Sequence, residues 1–386
     1  MSFFGAAACG SGDIASGGSS SSGGAGGGGG AGGTGSASVT GGASGTVGST
    51  GGSSVGNGAD GSDVASTSDG ASGDGSDASV ARKHGKSQGC SMTAAMAGNQ
   101  SLSLPKCTGC SAAMGNCPRD CIAPEFAPRV AANQDFTTRS FSVQLPSGYD
   151  ANTAYPIFMG GGGCGSGGGG LGLPGDAGAI RVNLSIKNGG PLDGSCFADG
   201  GQACSGDTTH LAWCVNSPEM AYVRGVLNWI EARYCVDQDK EFIGGASSGA
   251  WEAYTLGCGD ADQLRGFVAI AGGKREHRWP CTGPVAAFMI ADTADDQNPI
   301  VVNTVEPHLD SHGSSAARDE LLVRNGCQGT TGTVYDPQYP ACIKYNCPAA
   351  YPVVWCALNG GHTNTSQGGV NYAQAVWPFF MSLPPP

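Results

Sequence analysis

A short apolar run, Phe242-Ile243, enters the glycine pair Gly244-Gly245. Ser247 stands two residues beyond, and Ala250, Trp251, Ala253, Tyr254 and Leu256 follow in a segment suited to a helix. That order predicts a strand, a sharp turn and a helix. Gly245-Ala246-Ser247-Ser248-Gly249 fits G-x-S-x-G, a nucleophile elbow, in which a strained turn lifts a serine hydroxyl above the edge of a sheet. The flanking glycines remove Cβ atoms that would otherwise clash. The amides that open the helix face the place where negative charge develops in acyl transfer. An ordinary strand-to-helix turn is the competing reading. With 69 glycines in 386 residues the pattern alone is weak. A second match, Gly52-Ser53-Ser54-Val55-Gly56, has neither a strand before it nor a helix after it, and is set aside.

Residues 1–81 differ in composition from the rest. They hold 27 glycines, abundant serine, six aspartates and no Lys, Arg or Glu. Too little apolar surface is available to offset the entropy of ordering, so the segment is expected to be a disordered, mildly acidic tether. It lacks a three-residue glycine period, which excludes collagen. Half of the net charge of −12 lies here, and the remaining chain carries 25 acidic against 19 basic residues. No basic patch appears in either part, which argues against a nucleic acid or an anionic membrane as partner. Met1 to Gly10 resembles the end of a bacterial lipoprotein signal, with Cys9 as the candidate for lipid attachment, although its apolar region is too short as written. No stretch approaches the roughly 18 apolar residues of a membrane-spanning helix.

Seventeen cysteines argue for an oxidising compartment, secreted or in the cell envelope. Without Cys9 they number an even 16, whose pairing the sequence does not assign. Cys107, Cys110, Cys117 and Cys121 are close enough to offer a tetrahedral zinc site, but their intervals are irregular and disulfides are the preferred reading. Residues 82–135 are thus expected to be a disulfide-stapled lead-in or cap, not an independent module.

From Phe136 to the C-terminus the pattern is that of a single α/β domain. Arg139 to Leu145 alternates polar and apolar residues, as a half-buried strand does. Tyr155 to Met159 is an apolar strand that runs into a glycine-rich loop, Gly160 to Gly170. Gly160, Gly162 and Gly165 satisfy G-x-G-x-x-G, but no helix opens on the last glycine, so an oxyanion-binding loop is preferred over a dinucleotide site or a plain connector. Residues 186–217, with His210, read as an irregular excursion pinned by Cys196, Cys204 and Cys214. Pro218 opens an amphipathic helix with Met220, Val223, Leu227, Ile230 and Tyr234 on one side, and Ser217 as its cap.

Beyond the elbow, Gly266 to Ala271 and Pro284 to Ala291 are continuous apolar runs of the kind buried in parallel sheets. Asp292, Asp295 and Asp296 follow the second, where the carboxyl end of a strand delivers site residues. Tyr351 to Leu358 is a final strand, and His362 lies in the glycine-rich loop after it. Val370 to Ala373 begins a closing helix whose apolar side is Ala375, Val376, Phe379 and Phe380. The chain order serine, aspartate, histidine is that of α/β-hydrolases. Glu306, His308, Asp310 and His312 alternate ligand types, but Pro307 and Gly313 favour a polar loop over a metal site, while His84 and His277 read as exposed.

Taken together, Leu145 to Tyr149, Tyr155-Pro-Ile, Gly163-Cys164-Gly165, Ala232 to Asp237, Gly245 to Gly249, Asp292 to Asp295 with Pro299, Arg318 to Cys327 and Gly360-Gly361-His362 carry a resemblance. They resemble the secreted poly(3-hydroxybutyrate) depolymerase and feruloyl esterase group of α/β-hydrolases, in its disulfide-rich, lipoprotein-like form. The resemblance implies a mostly parallel sheet flanked by helices over residues 136–386. It further implies Ser247 as nucleophile, Asp295 as acid, His362 as base, and the backbone N–H groups of Cys164 and Ser248 as oxyanion donors. Many relatives carry a histidine two residues before the loop cysteine, where this chain has Gly162. The activity implied is hydrolysis of polyhydroxyalkanoate, feruloyl or acetyl esters by a monomer that needs no cofactor. A hydrolase-fold surface-binding lipoprotein without catalysis is the alternative.

Overall fold

The computed structural model describes residues 83–93, 96–110, 118, 120–122, 124, 138–162, 177–185, 218–274, 281–301 and 313–385. The expected tether, Cys9, the glycine loop from Gly163 onward with Cys164, the excursion with His210, the Ser217 cap, His277 and the 306–312 cluster lie outside these residues.

The described residues build one ten-stranded sheet. Its strands in chain order are β1 (Gly98–Ser103), β2 (Thr138–Gln144), β3 (Tyr155–Gly161), β4 (Ile180–Leu184), β5 (Val236–Ala246), β6 (Gly266–Ile270), β7 (Ala286–Asp292), β8 (Gly332–Val334), β9 (Cys342–Tyr345) and β10 (Val353–Leu358). They lie in the order β1-β2-β4-β3-β5-β6-β7-β10-β9-β8. The six neighbours from β4 to β10 are parallel. Next to them β2 is antiparallel on one side and β9 on the other. A parallel core with an antiparallel second strand and this strand order is the α/β-hydrolase arrangement.

The core strands follow from their apolar runs, since a strand covered on both faces has no polar side to present. Every residue of β6 and of β7 is buried. Alternate residues feed two separate clusters. Met159, Ile243, Phe267, Ala269, Ala287 and Met289 pack with helices α1 (Pro218–Glu231), α2 (Ser248–Gly259) and α3 (Ser314–Arg324). Phe158, Phe242, Val268, Ile270, Phe288 and Ile290 pack with the C-terminal helix α4 (Val376–Met381), where Phe242 stacks on Phe380 at 4.3 Å. The apolar stripe expected on α1 is wholly buried, and so are Ala375, Val376, Phe379 and Phe380.

Some local expectations are corrected. Val370-Asn371 does not begin the closing helix: it pairs with Ser366-Gln367 in a two-stranded ribbon, and the Asn371 side chain caps the following turn by accepting from the Ala373 N–H. The short or polar strands β1, β8 and β9 carry too weak an alternation to be read from sequence, whereas β4 alternates apolar and polar residues from Ile180 to Leu184 and is an addition to the expected strands. Cys107 is bonded to Cys121, which removes two of the thiolates that a four-cysteine zinc site requires.

The lead-in is joined to the sheet. β1 extends it at the edge beside β2. Residues 85–89 run along the entrance to β5, with Ser87 N–H donating to Val236 O at 3.0 Å and Gln238 N–H to Gly85 O at 2.9 Å. Gly89 lies where a Cβ would strike the backbone of Tyr234. Cys90 is bonded to Cys235 across 145 residues of chain. Closing so long a loop restricts the unfolded ensemble, an effect typically worth about 2–4 kcal/mol. The double variant Cys90→Ser/Cys235→Ser should therefore unfold at a clearly lower urea midpoint. An unchanged midpoint would show that the bridge contributes nothing.

Candidate active site

The elbow takes the shape its residues demand. Ser247, between β5 and α2, has φ 55° and ψ −123°, a left-handed backbone that a side chain rarely adopts. Such a residue costs on the order of 1–3 kcal/mol and persists only where its surroundings hold it. Here the Ser247 N–H donates to Ile270 O at 2.9 Å, while its carbonyl accepts from Ala250 N and Trp251 N, which open α2. Both motif glycines are forced by close approach. A Cβ on Gly245 would run into the Gly249 backbone, and one on Gly249 would lie 2.6 Å from Gly161 O and 2.8 Å from Gly162 O. The elbow is thus pressed against the end of β3, where the glycine-rich loop begins.

His362 reaches this point from the loop after β10. Its Nε2 lies 2.8 Å from Ser247 Oγ, and its Nδ1 lies 2.9 Å from each carboxylate oxygen of Asp295. The Asp295 carboxylate is fully shielded, whereas the imidazole is 14% exposed. Asp295 Oδ1 also accepts from the N–H groups of Gln297 and Asn298, at 2.9 and 2.8 Å, which fixes the carboxylate in a side-chain turn. The turn and the histidine loop are tied together by Thr293 N–H to Leu358 O and Ala294 N–H to Gly360 O.

Of the three aspartates at the end of β7 and in the turn beyond it, only Asp295 is hydrogen-bonded to the histidine. Asp296 is exposed. Asp292, the last residue of β7, is buried and accepts from Asn364 Nδ2 at 3.3 Å. Ser248 heads α2 and is buried, beside Ser247. Cys164, the other expected oxyanion donor, lies outside the described residues. Among the described residues no group of three or more His, Cys, Asp or Glu is placed to hold a metal ion. Sequence reading missed Asn364, which braces the histidine loop by donating its N–H to Gly361 O and accepting from Ser366 N–H. It also missed Asn298 and the partner it finds in Trp251. No periodicity marks such residues, because their partners are distant in sequence.

Burial, reinforced by the negative charge of Asp295, pushes the Asp292 carboxyl up to about 6, against the smaller opposing effects of Asn364 and His362. The folded state therefore holds this proton more tightly than the unfolded chain. Below pH about 4 both states are protonated and burial carries no ionisation cost. Between pH about 4 and 6 the unfolded chain ionises first and stability falls, by up to about 3 kcal/mol, and above that range the loss levels off. Asp292→Asn keeps the acceptor for Asn364 and removes the charge. Its melting temperature should exceed that of the parent at pH 7–8, with the difference vanishing near pH 4. Equal pH dependence in the two proteins would refute this assignment.

No protein-family model matches the chain. A probable feruloyl esterase C of Aspergillus niger is 24% identical over 252 residues, covering 63% of this chain and 84% of the relative. Feruloyl esterase C of Emericella nidulans is 26% identical over 177 residues, covering 43% of this chain and 59% of the relative. Among solved structures, an acetyl xylan esterase from Aspergillus awamori overlays with a TM-score of 0.42 at 14% identity, covering 63% of this chain and 94% of that one. Its strand order and its elbow are those of an α/β-hydrolase fold, and its sequence is similar to those of feruloyl esterases.

Proposed function

We propose that the protein is a serine hydrolase of carboxylic esters, with Ser247, His362 and Asp295 as its catalytic residues. The observation that carries this reading is the unbroken hydrogen-bonded series from Ser247 Oγ through the His362 ring to the buried Asp295 carboxylate. Asp295 keeps the Nδ1 proton on the ring, which leaves Nε2 to accept the proton of Ser247 as its oxygen attacks the ester carbonyl. The resulting oxyanion is received by the Ser248 N–H at the head of α2 and by the Cys164 N–H. One such donor is typically worth about 3–4 kcal/mol. Nε2 then returns the proton to the departing alcohol and an acyl-serine remains. Water, deprotonated by the same nitrogen, releases the acid and restores the serine.

Feruloyl esters are the first substrate class to consider, because the sequence relatives are named feruloyl esterases. Acetylated glycans and poly(3-hydroxybutyrate) offer the same carbonyl in differently shaped alcohols. The disulfides Cys90–Cys235, Cys107–Cys121, Cys258–Cys281, Cys327–Cys347 and Cys342–Cys356 support export to an oxidising compartment. Lipid attachment at Cys9 would keep the enzyme on the cell envelope.

The parent protein should hydrolyse a short p-nitrophenyl ester and take up a fluorophosphonate probe. Ser247→Ala should abolish labelling and lower turnover by at least about a thousandfold with the fold intact. Unchanged turnover in the variant, or a parent that does neither, would overturn the reading and favour a binding protein. Methyl ferulate, an acetylated xylan and a poly(3-hydroxybutyrate) film, assayed side by side, rank the substrate classes.

A further inference from the structure

The elbow and the acid loop stand on different strands, β5 and β7, with β6 between them. His362 spans the gap, and an imidazole can bridge a serine and a carboxylate only if they are held at a matching separation. The ties from Thr293 and Ala294 join the acid loop to the histidine loop and leave its distance from Ser247 unspecified.

A second path, independent of His362, sets that distance. Trp251 lies one helical turn beyond Ser247, and its backbone N–H donates to Ser247 O at 3.2 Å, so the indole moves with the elbow. The indole Nε1–H donates to Asn298 Oδ1 at 3.2 Å. The backbone N–H of Asn298 in turn donates to Asp295 Oδ1 at 2.8 Å. Trp251 and Asn298 are both fully buried, at 0% exposure, so water does not substitute for either partner. We infer that Trp251 and Asn298 are positioning residues, whose side-chain hydrogen bond latches the Asp295 turn to the nucleophile's helix across β6.

This inference rests on the serine hydrolase reading for its consequence, though not for its geometry. A tryptophan that served packing alone would be replaced by phenylalanine with little effect on chemistry. A latch would not, because phenylalanine has no N–H to give Asn298 Oδ1. Small displacements of a catalytic group cost on the order of ten- to a hundredfold in rate.

The test compares the parent, Trp251→Phe, Asn298→Ala and the double variant. It measures kcat and KM on a p-nitrophenyl ester, the rate of fluorophosphonate labelling, and the low-field proton resonance of the His362 Nδ1–H. The latch predicts that each single variant loses roughly ten- to a hundredfold in kcat and labelling rate, with KM close to that of the parent. The double variant should be no worse than the more impaired single one, since both changes break the same link. The resonance should shift or broaden in all three. Parent-like kcat and resonance in both single variants would overturn the inference, and so would losses that multiply in the double variant. Should Trp251→Phe fail to fold, Asn298→Ala, which leaves the indole in place, decides by the same criteria. Should the parent itself neither turn over ester nor take up the probe, the ester reading falls, and the resonance alone decides whether the latch exists.

Discussion

The left-handed backbone of Ser247 governs the rest of the site. A non-glycine residue stays in that conformation only when its neighbours exclude every relaxed alternative. At this turn they do so from three directions: the Ile270 carbonyl at the end of β6, the first amides of α2, and the backbone at the end of β3, which touches the place a Cβ on Gly249 would fill. Three elements thus meet at one serine, and the hydroxyl is presented at the rim where the end of β3 and the loops after β7 and β10 gather.

The sheet provides the rigidity this arrangement needs. Alternate residues of the parallel strands bury aromatic and branched side chains on both faces, and α4 closes one face through Phe379 and Phe380. On that base the loops of Asp295 and His362 are braced by hydrogen bonds from neighbouring asparagines. Asn364 folds the histidine loop back on itself and touches Asp292, and Asn298 holds both Asp295 and Trp251. The buried Asp292 carboxyl, held up to about 6, is a local destabilisation above that pH, set among groups the site requires.

Outside the rim the fold relies on covalent ties where apolar surface is sparse. The lead-in around Gly85 to Cys90 is polar and glycine-containing, and it is fastened to β5 by backbone pairing and by Cys235. At the opposite edge the short strands β8 and β9 extend the sheet beyond β10, with Cys342 bonded to its register partner Cys356 and Cys327 bonded to Cys347.

Sequence alone determined the features whose causes are local. The strand, turn and helix around Ser247 follow from glycines and apolar runs within a few residues of one another, and the stripe on α1 follows from its 3.6-residue period. The order of serine, aspartate and histidine along the chain was legible too, because each stands just past an apolar run that can only be a buried strand. Residue pattern by itself left open which of Asp292, Asp295 and Asp296 meets His362, since the three sit within five residues and share one chemistry; the resemblance implied Asp295, and the contact itself is made only in the tertiary structure. The tertiary structure also decided how the described cysteines pair and which weakly patterned segments join the sheet edges. Those outcomes depend on atoms brought together across tens to hundreds of residues, and no periodicity in the chain records where its distant parts will touch.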